Sequence, residues 1–196
     1  FQVVDAAGRA VSAVNSTYMS FGARIAARGF CLHNRGHNFA AVDGHPNCVA
    51  PRKRPYHTIL PCLVTRDTDG SLYASLTNMG GFMQPQGHVQ HVVNLLVRKL
   101  GPHASVAAPR FCVPNADVAT GKFGRMAAHV CVEPGFAAAT RSALAATFGH
   151  DVEVLAADPA VAAQLVGKAQ IIVVDRDGTK RAGSDPRADG AALATL

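Results

Sequence analysis

Short β-branched runs lie near both ends of the chain, and helical periodicity is confined to its middle. Phe1-Gln2-Val3-Val4-Asp5 and Ala10-Val11-Ser12-Ala13-Val14 flank Ala6-Ala7-Gly8-Arg9, which predicts a hairpin closed by a glycine turn. Thr58 to Arg66 (TILPCLVTR) and Ser71 to Leu76 (SLYASL) flank Asp67-Thr68-Asp69-Gly70. Gln170 to Val174 (QIIVV) and Thr179 to Ala182 flank Asp175-Arg176-Asp177-Gly178, so both pairs read as further hairpins. From Gln84 to Leu100, residues Val89, Val92, Val93, Leu95, Leu96 and Leu100 recur near the helical period. An Ala-rich helix is predicted from Phe136 to Phe148, stopped by Gly149, and a two-turn helix from Pro102 to Ala108. Strands, then helices, then strands again indicate an α+β class, with helices covering a mostly antiparallel sheet.

A length of 196 residues suits one compact domain with a sizeable core. With 48% hydrophobic and 16% charged residues the chain is no disordered tail. No apolar run approaches the roughly 20 residues of a membrane-spanning helix, so a soluble globular domain is expected. The net charge of +6 raises the question of nucleic acid, but Arg52-Lys53-Arg54 is the one basic run, and Pro51 and Pro55 bracket it as a loop. With no Trp and three Tyr there is little to stack on bases, and nucleic-acid binding is set aside. Five cysteines, widely spaced and without a C-x-x-C pair, argue against a disulfide framework or a zinc site. Cys62 and Cys131 read as small buried hydrophobes, and a reducing, cytoplasmic compartment is slightly favoured. The chain opens in a strand without Met or leader, which reads as the C-terminal piece of a longer precursor.

Chemistry concentrates in three places. Asn78-Met79-Gly80-Gly81-Phe82-Met83-Gln84-Pro85-Gln86-Gly87-His88 runs from a strand through a Gly-Gly turn into a helix. Such a turn presents backbone N–H groups to a developing oxyanion, or serves only as a turn needing positive φ. His33-Asn34-Arg35-Gly36-His37-Asn38 is a polar concentration after a strand at Gly29 to Leu32. It reads as a catalytic or zinc site or, on spacing alone, as a solvated loop, because Gly36 spoils a metal-binding helix face. Pro55-Tyr56-His57-Thr58 lies at the mouth of a strand, where adjacent side chains point to opposite faces.

Taken together, Val4-Asp5-x-x-Gly8-x-x-Val11-Ser12, Phe21-Gly22, Asn34-Arg35-Gly36, Lys53-Arg54-Pro55, Met79-Gly80-Gly81, Gln84-Pro85-Gln86, Ala108-Pro109-Arg110 and Gly183-Ser184-Asp185-Pro186-Arg187-x-Asp189-Gly190 resemble, in order, the small subunit of the gamma-glutamyltranspeptidase family. The resemblance spans nearly the whole chain. It implies an N-terminal-nucleophile hydrolase, an αββα sandwich cleaved autocatalytically from a zymogen into large and small subunits, with residues 1–196 in the small, catalytic one. The implied nucleophile is an N-terminal Thr, three residues before Phe1, whose own amine assists as base. Gly80 and Gly81 match the oxyanion-hole pair, and Ser16 matches a hydroxyl that bonds the nucleophile. No metal and no cofactor is implied. The large subunit is the implied partner, and a dimer of heterodimers is the implied assembly.

The pocket positions depart from the pattern. Asn38 stands where gamma-glutamyl enzymes carry the Asp that binds the substrate ammonium. Arg35 replaces a Gln, Tyr18 an Asn, and His57-Thr58 a Ser-Ser pair that grips the α-carboxylate. Losing the carboxylate removes a charge-assisted bond of about 1.5–3 kcal/mol, and Arg35 favours a carboxylate over an ammonium. The expected substrate is a small acidic amide without an α-amino group, as in the oxamate amidohydrolase and glutaryl or cephalosporin acylase branches. The stretch between Phe39 and Arg52 is too short for a lid, which suits hydrolysis over transfer. The alternatives are a true gamma-glutamyltransferase or glutathione hydrolase, and an inactive binding relic; Arg35 could also pair with a large-subunit acid.

Overall fold

The structure, a computed structural model, describes residues 1–114, 129–158 and 164–194. The chain divides into two compact units, Phe1–Ala13 with Leu60–Leu196, and Val14–Ile59.

In the first unit, strands β1 (Gln2–Val4) and β2 (Ala10–Ser12) form the expected antiparallel hairpin, with Gly8 at φ 79° in its turn. Strands β5 (Cys62–Thr65), β6 (Leu72–Met79), β10 (Lys168–Val174) and β11 (Lys180–Ser184) make an antiparallel sheet in the order β11-β10-β6-β5. Strand β5 begins later than TILPCLVTR suggests. Pro61 cannot donate to a ladder, and the Leu60 N–H donates instead to the Gln84 side chain at 3.1 Å. Helices α1 (Met83–Leu96) and α2 (Pro102–Ala107) lie over this sheet. Ala169, Ile171 and Val173 alternate inward along β10 and meet Ala74, Leu76, Leu95 and Val106 in one core. Helix α1 stops short of Leu100 because Pro102 opens α2, holding Gly101 extended, and Lys99 turns left-handed at φ 57°.

A second sheet was not legible as hairpins. It comprises β7 (Phe111–Cys112), β8 (His129–Val132) and β9 (Asp151–Val154), in that order. Within the expected, mostly antiparallel arrangement this sheet holds one exception: β8 and β9 pair in parallel, joined by a crossover that contains helix α3 (Ala138–Ala146). Gln86 and Gln90 of α1 act as a surrogate strand for β7, each bonding a backbone N–H and C=O, of Val113 and Phe111 respectively. Beneath lies a smaller core of Met83, Cys112, Cys131, Leu155 and Val166. Cys131 is buried as expected, whereas Cys62 is half-buried at the edge of the main core.

The second unit is built differently. A minimal hairpin, β3 (Ala26–Ala27) with β4 (Phe30–Cys31), precedes a 3₁₀ turn at Arg35–Asn38. Among its described residues no hydrophobic side chain is buried, so backbone and polar side-chain bonds hold it. The strand expected at Gly29 to Leu32 is cut to two residues, since Gly29 sits at φ 85° in the hairpin turn.

Candidate active site

Gly80 and Gly81 form the link between β6 and α1. Gly80 has φ 132° and Gly81 φ 59°, backbone that a side chain strongly disfavours. Their carbonyls accept from the Met83 and Gln84 N–H groups at 3.0 and 3.2 Å, which starts the helix. Among the described residues neither glycine N–H has a backbone acceptor. Two other glycines permit the turn. A Cβ on Gly167 would overlap the Met79 carbonyl oxygen, and one on Gly87 would stand 2.6 Å from the Asn78 side chain.

Behind the turn lies a buried polar network. Asn78 donates to the Met79 carbonyl at 2.8 Å, and its Oδ1 accepts from Arg110 at 3.0 Å and lies 3.2 Å from His91 Nε2. The other His91 nitrogen meets the Ser105 hydroxyl at 3.2 Å. Arg110 also donates to the Val106, Val166 and Gly167 carbonyls and pairs with Asp185. Arg187 joins Asp185 at 3.0 Å to Glu133 at 2.6 Å. Burial pushes the His91 pKa down to about 3, and the Arg110 charge adds to the effect, so His91 is neutral at physiological pH. Burial opposes the charged form of Asp185, but the Arg110 charge and hydrogen bond outweigh it and hold its carboxyl below the ordinary value. Burial also lowers the Arg110 pKa, against the pull of Asp185. Arg110, Asp185 and Arg187 stand in the sequence motifs quoted above, but no spacing rule gave them a role. Their signal is charge in segments that turn out to be buried.

The pocket residues fall in the second unit. Arg35 Nη1 donates to Thr58 Oγ1 at 2.9 Å and Nη2 to Ser16 Oγ at 2.6 Å, while the guanidinium lies 5.4 Å from the Tyr18 ring centroid. The structure thus gathers Ser16, Tyr18, Arg35 and Thr58 into one group. Tyr18 is held at φ 78°, a left-handed conformation rare for an aromatic residue. Asn38 stands apart from that group, donating to the Tyr56 carbonyl at 3.2 Å and accepting on its own carbonyl from Asn47 at 2.5 Å. His57 is exposed, and it lies in an irregular segment rather than at a strand mouth. A cleft of about 690 Å³ is lined by Asn15, Ser16, Thr17, Phe30, Cys31, Leu32 and His33. Ser16 therefore faces both the cleft and Arg35. Among the described residues no carboxylate pairs with Arg35, and residues 14–59 hold six Lys and Arg against one acid, Asp43.

The chain is similar to known proteins along nearly its whole length. The chain is 34% identical over 194 residues to the glutathione hydrolase-like YwrD proenzyme of Bacillus subtilis, covering 97% of this chain and 34% of that protein. It is 32% identical over 192 residues to the oxamate amidohydrolase proenzyme of Klebsiella pneumoniae, with the same two coverages. The chain thus spans about a third of the length of these curated relatives. Among solved structures, cephalosporin acylase from Bacillus halodurans matches with a TM-score of 0.76 and 36% identity, over 92% of this chain and 31% of that one. The gamma-glutamyltranspeptidase of Pseudomonas nitroreducens complexed with L-DON shares the fold, with a TM-score of 0.77 at 22% identity over 100% of this chain and 98% of that one. The fold is that of the N-terminal-nucleophile hydrolases. A family model described as gamma-glutamyltranspeptidase matches residues 1–195, and the chain belongs to the gamma-glutamyltranspeptidase family.

Proposed function

We propose that this chain is the small, catalytic part of a self-processed amide hydrolase whose preferred substrate is a small acidic amide without an α-amino group. The nucleophile in this reading is a Thr three residues before the position of Phe1. Its hydroxyl attacks the amide carbonyl carbon while its own amine takes the proton. The carbonyl oxygen becomes an oxyanion that the Gly80 and Gly81 N–H groups receive, a role worth about 10²–10³-fold per donor. Collapse of the intermediate expels the amine with that proton, and water then releases the acid from the acyl-enzyme. Arg35, set by Ser16 and Thr58 and supported by Tyr18, binds the carboxylate of the acyl group. The large subunit from the same precursor completes the enzyme.

The observation that carries the substrate reading is the Arg35 guanidinium, which donates to two neutral hydroxyls and has no carboxylate partner among the described residues. A cation with neutral partners in a unit that holds one acid attracts carboxylates and disfavours the ammonium of a gamma-glutamyl group. Asn38 adds no charge to hold an ammonium. The second reading, a glutathione hydrolase, is favoured by the name of the Bacillus subtilis relative. The deciding experiment compares kcat/KM of the full-length, self-processed enzyme on glutaryl-p-nitroanilide and gamma-glutamyl-p-nitroanilide. Equal or better glutaryl turnover is expected. A gamma-glutamyl preference above about tenfold, or 1.4 kcal/mol, selects the second reading. Arg35→Gln should lower kcat/KM on the glutaryl substrate by about 10- to 100-fold, the loss of one charge-assisted bond.

A further inference from the structure

Parallel pairing of β8 with β9 sets His129 opposite Asp151 and Cys131 opposite Glu153. Side chains two apart on a strand share a face, so an imidazole, a thiol and two carboxylates converge on one patch. His129 Nδ1 lies 2.9 Å from Asp151 Oδ2, and Nε2 lies 3.1 Å from Glu153 Oε2 and 3.4 Å from Cys131 Sγ. The triangle closes with Cys131 Sγ at 3.7 Å from Glu153 Oε2.

Those three edges, 3.1, 3.4 and 3.7 Å, each lie within about 0.3 Å of what a tetrahedral cation demands. Bonds of about 2.0–2.1 Å to nitrogen and oxygen and about 2.3 Å to sulfur, at tetrahedral angles, give ligand–ligand edges of about 3.3–3.6 Å. The orienting partner is in place too. A ligating histidine ordinarily donates its other N–H to a carboxylate, and Asp151 stands at Nδ1 for that purpose. Cys131 is buried whereas Glu153 is exposed, so the patch has an anchored soft donor and an open side.

From this geometry we infer a zinc-class transition-metal site with His129 Nε2, Cys131 Sγ and Glu153 Oε2 as ligands, Asp151 as the orienting group, and a fourth position for water or an exogenous anion. Mixed nitrogen, sulfur and oxygen donors select zinc or cobalt over magnesium or calcium. Binding displaces the Cys131 thiol proton to solvent and forms the metal–sulfur bond, with no change of oxidation state. The metal would clip β8 to β9 across the α3 crossover. This inference is independent of the substrate reading.

The test is Co²⁺ titration of the full-length protein, followed by displacement with Zn²⁺. One Co²⁺ per chain should give a thiolate-to-cobalt charge-transfer band and the intense visible bands of a tetrahedral ion, both erased by Zn²⁺. Cys131→Ser should abolish the charge-transfer band, and Cys112→Ala should keep it. Glu153→Gln, an exposed change that spares folding, should weaken Co²⁺ binding, and Asp151→Asn should weaken it by about 10- to 100-fold. No band at stoichiometric Co²⁺, a band that survives Cys131→Ser, or binding unmoved by Glu153→Gln would each overturn the site. His129 would then be simply an imidazole bridging two carboxylates.

Discussion

Lowering the pH from about 7.5 to about 5 charges an ordinary histidine but not His91. That residue is fully buried between Asn78 and Ser105, with Arg110, Arg187 and His88 opposing a positive charge and Asp185 favouring one. Its pKa falls from 6.5 unfolded to about 3 folded. The unfolded chain therefore binds more protons between those values, and stability is complete above about pH 6.5 and lost as the pH falls towards 3. Linkage over this one group gives a loss of about 2 kcal/mol between pH 7.5 and 5, rising to about 5 kcal/mol below pH 3. The assay is the denaturant midpoint of the full-length protein at the two pH values, for the parent and for His91→Gln. The glutamine keeps an amide to reach Asn78 but does not titrate, so its loss should be smaller by about 2 kcal/mol. Equal losses, or a His91 imidazole seen by NMR to titrate near 6.5, would refute the account of why this side chain is neutral.

Three further outcomes follow from the glycine turn and the network behind it. Gly80→Ala should lower kcat more than Gly81→Ala, because a Cβ at Gly80 lies 3.0 Å from Gly167 Cα whereas Gly81 faces open space; equal effects in steady-state kinetics would count against the turn geometry. Gly167→Ala should destabilise by about 2–4 kcal/mol and depress activity, since its Cβ overlaps the Met79 carbonyl just before the glycine pair; a thermal melt and a kcat measurement check both. Asp185→Asn leaves Arg110 buried without its anion and should cost about 3–5 kcal/mol, read as a lowered denaturant midpoint.

Local chemistry made much of this molecule readable. The three hairpins were visible because Gly8, the segment ending at Gly70 and the segment ending at Gly178 supply positive φ between β-branched runs. Helix α1 was visible through its periodicity, and α3 through Ala content and the Gly149 stop, at φ 72°. The Gly80-Gly81 turn and the Arg35 segment could be singled out because paired glycines and a concentration of polar residues from His33 to Asn38 are local features. Strands β7, β8 and β9 were not visible, since two- to four-residue strands without turn residues leave no period to count.

Family membership was also written in the chain, as short motifs in fixed order. What those motifs do was decided by the tertiary structure. Arg110 and Asp185 lie 75 residues apart, and only packing of α2 and β11 takes both out of water, where each must answer the other's charge. The same holds for His129, Cys131 and Glu153. No spacing rule joins a His-x-Cys to a glutamate 22 residues on, because the parallel register that sets Cys131 against Glu153 is a property of the crossover, not of any local sequence.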